Sequence, residues 1–266
     1  MTGVVAGVST KDSQAPVHWA AEEASTRRSP LRLVSAVPGN GPGEPAEDLL
    51  DAMADEVSVA WPGLEVTTEV VRGRAADALR ATAAGADLLV VGADDASPFV
   101  EATSGSVTGE LLTTTPCALA VVPRRGWTGF PADAPVVVGV DEPAPAHAAL
   151  AYAYAAASRT GRPLTILHCA PSGGPTARSV WSRTHLTAGL GGLFPDVPVT
   201  VEEVVGDGET RLAAASRGAA TLVLGARGQF ASGRFGSVSR KLIRRGHCPV
   251  VVARGRAGTG RASAVS

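Results

Sequence analysis

The chain is 266 residues long and sets 24 Lys and Arg against 25 Asp and Glu, for a formal charge of −1. That near-balance removes any strong electrostatic case for nucleic acid or an anionic membrane as a partner. No apolar run approaches the roughly 20 residues that span a bilayer, and Cys117, Cys169 and Cys248 form neither a disulfide framework nor a C-x-x-C pair. The opening MTGVVAGVST passes straight into a strand without a charged leader, so the expected location is cytoplasmic.

In chain order, short apolar runs alternate with amphipathic stretches, the pattern of a parallel sheet whose strands are connected by helices. Strands are predicted near 3–8, 31–36, 64–70, 87–92 and 117–122, and SQAPVHWAAEEASTR (13–27) is the first connecting helix. Runs such as LLVV (88–91) are continuously apolar, as expected of strands buried on both faces. RRGWTGFPADA (124–134) then concentrates glycine, proline and charge, the composition of a connector. Beyond it the series restarts, with strands at 135–140, 163–169, 198–204, 220–225 and 249–253 and helices at 144–160, about 177–191, 207–217 and about 236–245. Gly189, Gly191 and Gly192 read as the stop of the helix before them. The small and basic tail 255–266 reads as disordered.

The second series repeats the first about 132 residues later: VVAGVST (4–10) returns as VVVGVDE (136–142), and VTTEVVRGRAADAL (66–79) as VTVEEVVGDGETRL (199–212). The stretch 87–123 likewise returns as 221–253, each copy running strand, Gly, polar loop, Gly-Ser-Val, helix, Cys, strand. Solenoid repeats span roughly 20 to 50 residues, so this period is a duplicated domain: 1–124 and 135–254, with 125–134 as linker. The runs ALAVV (118–122) and PVVVA (249–253) would otherwise be exposed apolar edges. They are therefore expected at the interface of two halves packed face to face about an approximate twofold, an intramolecular pseudo-dimer that a second chain can extend into a homodimer.

Open parallel sheets bind ligands beyond the carboxyl ends of their strands, where strand order reverses. In the second repeat the residues there are Val140 and Asp141, Cys169 and Ala170, Gly225, Arg227 and Gly228, and then Gly236, Ser237 and Val238 opening the last helix. Glycines let backbone approach phosphate closely, and amides at a helix start point at an anion. Arg227 and Arg234 either neutralise phosphate or are solvated loop cations. Asp141 reads equally well as a ligand to ribose or adenine and as an N-cap. Without a ligand, the glycine loop is a connection that needs tight turns and close helix packing.

Gly-Ala-Arg-Gly (225–228), Gly-Ser-Val-Ser (236–239) and Cys-Pro-Val-Val-Val (248–252), with VVVGVDE and TILHCA (165–170), resemble the universal stress protein family over nearly all of both repeats. The resemblance implies two tandem, doubly wound, five-stranded α/β domains of the adenine-nucleotide hydrolase-like group that pack as a fused dimer. It also implies a site for ATP or another adenine nucleotide, with or without magnesium, through G-x2-G-x9-G-S/T. Both repeats depart from that pattern. In the second, seven residues instead of nine separate Gly228 from Gly236. In the first, Gly92, Gly105 and Ser106 keep the spacing, but Asp95 replaces the second glycine beside Asp94, and Ser9 stands where the second repeat has Asp141. Two carboxylates repel phosphate, so any nucleotide is expected in the second repeat.

His168 ends a strand and reads as a core histidine, while His18, His147, His185 and His247 show no metal-ligand spacing. Neither a G-x4-G-K-S/T loop nor a G-x-S-x-G elbow occurs. No catalytic set and no metal site is expected. The sequence thus supports an adenine-nucleotide-binding stress-response protein, with a ligand-free protein-interaction scaffold of the same fold as the alternative.

Overall fold

The structure is a computed structural model that describes residues 3–9, 13–93, 107–123, 130–140, 143–170, 189–205, 207–226, 242–243 and 246–254, with backbone alone at 143–146, 169–170 and 205. The first half contains β1 (Val4–Val8), α1 (Gln14–Arg27), β2 (Leu31–Val37), α2 (Glu44–Ala60), β3 (Val66–Arg72), α3 (Ala75–Thr82), β4 (Leu88–Gly92), α4 (Val107–Thr114) and β5 (Ala118–Val122). The second contains β6 (Val136–Val140), α5 (Pro143–Thr160), β7 (Leu164–Ala170), α6 (Leu190–Leu193), β8 (Val199–Val205), α7 (Gly208–Ala215), β9 (Thr221–Gly225) and β10 (Val250–Ala253). Valine and leucine dominate the central strands β1, β4, β5, β9 and β10, whose residues are almost all buried, as in sheets covered on both faces.

All ten strands form one sheet in the order β3-β2-β1-β4-β5-β10-β9-β6-β7-β8. Pairing is parallel within each half and antiparallel at the centre, where Val121, Ala120 and Leu119 of β5 face Val250, Val251 and Val252 of β10. The last strands do meet at the interface, but edge to edge and not face to face. Each closing strand presents a row of backbone donors and acceptors on its free side, and antiparallel pairing satisfies both rows at once where stacking would satisfy neither.

Side chains alternate between the two faces of the sheet. On one face Val4, Ala6 and Val8 of β1, Val136, Val138 and Val140 of β6, and the alanine-rich faces of α1 and α5 form a single core that crosses the seam. The other face carries two smaller cores. Leu79, Leu89, Leu111 and Val121 form one, with Val252 of β10 joining from the opposite half. Val137, Leu212, Leu222, Leu224, Leu242 and Val250 form the other. Arg254, just past β10, crosses the seam and donates through Nη2 to the Leu112 carbonyl near the carboxyl end of α4, where a cation suits the helix dipole.

The glycine of each first strand has a packing reason. A Cβ at Gly139 would lie 2.9 Å from a Leu212 methyl, and one at Gly7 would lie 3.0 Å from a Leu79 methyl. The repeated Gly-Val therefore admits a leucine of the third connecting helix against the sheet. Helix ends differ between halves: α5 runs out at Gly161 with φ +65°, whereas α1 ends at Arg28 with φ 52°, the lone non-glycine with positive φ among the described residues. Its backbone N–H satisfies the carbonyls of Ala24 and Ser25, so capping offsets the left-handed penalty of roughly 1–2 kcal/mol.

Gly189, with φ +80°, precedes the single turn α6, and Gly191 and Gly192 sit inside that turn; the helix expected before them lies largely outside the described residues. Cys248 is buried and Cys117 half-buried; desolvation pushes their thiols up to about 12 and about 11, so both are protonated and poorly nucleophilic.

Candidate functional site

Chain order makes the site before any side chain does. In the second half the chain starts in the middle of its strands at β6, winds outward through β7 and β8, then crosses back to β9 and β10. The reversal lies between β6 and β9. Those strands pair only from Val136 with Thr221 to Val138 with Val223. β6 stays paired with β7 to its last residue, Val140 with His168, and β9 stays zipped to β10 through Gly225 and on to the Ala226 amide, which donates to the Ala253 carbonyl at 3.1 Å. With both outer pairings held and the inner one released, a crevice opens between the carboxyl ends of β6 and β9.

Of the candidate residues, Val140 and Gly225 flank this crevice. The Val140 side chain is buried in the shared core, only 4% exposed, so its backbone alone faces the mouth. Gly225 adds no side chain on the opposite lip. The backbone of Cys169 and Ala170 continues β7 past the end of β6, paired with Val204 and Val205 of β8. Asp141, Arg227, Gly228, Arg234, Gly236, Ser237 and Val238 lie outside the described residues. The far side of their loop is anchored: Leu242 is fully buried, and the Gly246 amide closes onto its carbonyl at 2.6 Å. A Cβ on Gly246 would sit 2.7 Å from that same carbonyl, so the turn into β10 demands glycine. His168 is held within the sheet, 13% exposed, with Nδ1 3.9 Å from Glu203 Oε1 on the neighbouring strand, in keeping with a structural histidine.

The first half shares the topology, with β1 and β4 paired only as far as Ala6 with Val90, but its mouth is furnished differently. The Ser9 amide donates to Ser13 Oγ at 2.9 Å, and that hydroxyl donates back to the Ser9 carbonyl at 2.9 Å. The ring occupies the backbone groups that follow the first strand. Arg74, at the start of α3, reaches Glu110 of α4 at 2.8 Å and Asp77 at 3.3 Å, tying the two helices together. Asp94, Asp95, Gly105 and Ser106 lie outside the described residues. Among the described residues no group of His, Cys, Asp and Glu is placed to hold a metal ion. Nor is any described helix long and apolar enough to cross a membrane.

The seam carries a cluster of polar groups at the other end of the second half. Glu23 of α1 bonds Arg27 at 2.9 Å and lies 3.6 Å from Arg159 of α5. Arg27 in turn donates to the Tyr152 hydroxyl at 2.8 Å. Its signal in the sequence is a Glu-Glu pair inside an otherwise alanine-rich helix face, AAEEA (20–24).

A doubly wound α/β pair with its strand-end crevice at each switch point defines the class. The profile of the Universal stress protein family matches residues 1–123 and again 134–254. The chain belongs to the universal stress protein family, as a tandem member. Among its relatives, Universal stress protein Rv1996 of Mycobacterium tuberculosis is 28% identical over 300 residues, covering 95% of each chain. Universal stress protein Rv2623 of the same organism is 27% identical over 285 residues, covering 95% of this chain and 96% of its own. A crystal structure of a universal stress protein from Archaeoglobus fulgidus aligns with a TM-score of 0.76 over 95% of this chain and 96% of that one, at 19% identity. That likeness speaks to the fold.

Proposed function

We propose that this universal stress protein binds an adenine nucleotide at one site per chain, in the crevice between β6 and β9, and acts as a nucleotide-responsive regulator. The observation that carries the reading is the release of β6 from β9 beside Gly225, while each strand stays paired on its outer side. Val140, Cys169, Ala170 and Gly225 bring no charge to this mouth, so a phosphate chain there meets backbone and no carboxylate among them. The glycine loop 225–237 with Arg227 and Arg234, and Asp141 after β6, would supply the remaining contacts: amides and a hydroxyl at Ser237 for phosphate, a carboxylate for the sugar or base. In the first half, the ring closed by Ser9 and Ser13 and the sequence pair Asp94 and Asp95 argue against a second nucleotide.

The loop is two residues shorter than the family pattern, leaving fewer amides for the outer phosphates. Each lost bond to a charged oxygen is worth roughly 1.5–3 kcal/mol. ADP and AMP are therefore expected to bind about as well as ATP. Calorimetric titration of the whole chain with ATP, ADP and AMP, each with and without magnesium, tests this. The expected result is one site per chain with similar affinities, lost in Gly236→Asp. Two equal sites, binding indifferent to Gly236→Asp, or a hundredfold preference for ATP over AMP would contradict the respective parts. No uptake of any nucleotide would favour the scaffold reading.

A further inference from the structure

A cavity of about 100 Å³ lies on the seam between the halves, at the amino ends of β6 and β9, the opposite end from the nucleotide crevice. The first half contributes Trp19, Glu22 and Glu23 of α1, the connector contributes Phe130, and the second half contributes Thr160 and Arg162. A single water needs only about 10–15 Å³ of such space, so the cavity has room for several waters or a compact organic molecule. We infer that it is a second binding site, built for a small zwitterion of the α-amino acid kind.

Some of the charges around this cavity are already paired and others are not. Glu23 is committed to Arg27 and Arg159. Glu22 makes no hydrogen bond or ion pair with any described residue, although it is partly buried; desolvation raises its pKa while Arg162 opposes the rise from a distance. Arg162 spends Nη1 on the carbonyls of Pro131 and Ala134. That anchors the guanidinium to the connector and leaves Nε and Nη2 without partners among the described residues. One acid and one guanidinium thus share a cavity without meeting each other. A simple cation would face Arg162, a simple anion would face Glu22 and Glu23, and an apolar guest would leave both sides unsatisfied at a cost. A zwitterion answers both: its ammonium donates to Glu22, and its carboxylate accepts from Arg162 in the planar geometry that guanidinium favours. The rings of Trp19 and Phe130 wall the space left for a short carbon skeleton.

Such a guest would bridge α1 of the first half to the strand starts of the second, so its binding should stabilise the assembled chain. The test uses the full chain with glycine, alanine and β-alanine, against equimolar acetate plus methylammonium, read by calorimetric titration and by thermal unfolding. Saturable binding of at least one zwitterion is expected, with Tm raised by roughly 5 °C at a hundredfold excess over Kd. Glu22→Gln should weaken that binding at least tenfold while leaving the free protein as stable or more stable at neutral pH, because it removes a desolvated carboxylate. Arg162→Gln should weaken it as well. A Tm rise of equal size in Glu22→Gln would be generic solute exclusion and would overturn the inference. So would binding of acetate or methylammonium alone with matching affinity, or the absence of heat and Tm change with all three zwitterions. Because no variant touches the strand-end crevice, failure here leaves the nucleotide reading intact, and failure there leaves this one intact.

Discussion

Gly139 shows how much one missing atom decides at the residue scale. The Leu212 and Leu224 methyls would stand 2.9 Å and 3.3 Å from a Cβ there, closer than side chains tolerate without moving. Gly139→Ala gains the ~0.4–1 kcal/mol that comes from restricting the unfolded chain but incurs an overpacking cost of roughly 1–3 kcal/mol. The expected net is destabilisation of about 1 kcal/mol in a denaturant titration. In a Leu212→Ala background the same substitution should turn neutral or stabilising, since the contact that opposed it is gone. Equal effects in both backgrounds would show that the glycine serves something other than the leucine.

Two helices, one from each half, carry the polar part of the seam at the scale of elements. Glu23 is the acid between Arg27 on its own helix and Arg159 on α5, and its side chain is only 9% exposed. Two partly buried cations depend on that one carboxylate, and Nε and Nη2 of Arg159 already lack hydrogen-bond partners among the described residues. Glu23→Gln should therefore cost about 3 kcal/mol, the size typical of removing one partner from a buried ion pair. Replacing Arg27 or Arg159 singly should cost less than Glu23→Gln, because the acid keeps one cation. Equilibrium unfolding of the three variants ranks them, and a loss below about 0.5 kcal/mol for Glu23→Gln would class the cluster with exposed pairs.

For the whole molecule, the joined sheet predicts one unfolding event. Val251 is fully buried, pairs with Ala120 of the other half, and belongs to the core that crosses the seam. Val251→Lys places a charge where both halves meet, and burial of an unpaired charge is among the few causes of losses above about 4 kcal/mol. Far-ultraviolet circular dichroism and tryptophan fluorescence should melt together in the wild type and shift together in the variant. A second transition that keeps the wild-type midpoint would mean that the halves fold independently.

The amino-acid order alone carries the alternation of strands and helices, the duplication, and the family, because strand burial and the Gly-Ser-Val helix start are local patterns written twice. It placed nearly every strand within a residue or two of where it lies, and it named Val140 and Gly225, the last residues of β6 and β9. It could not say that the halves join edge to edge, since the free backbone edges of β5 and β10 carry no side-chain signal about which partner they take. Nor could it assign three long-range contacts: that Gly139 makes room for Leu212 within the second half, that Glu23 meets Arg159 across the seam, and that Glu22 shares a cavity with Arg162. Those pairs are far apart in the chain: the winding of the second half on itself brings the first together, and only the folding of one half against the other brings the two glutamates to their arginines.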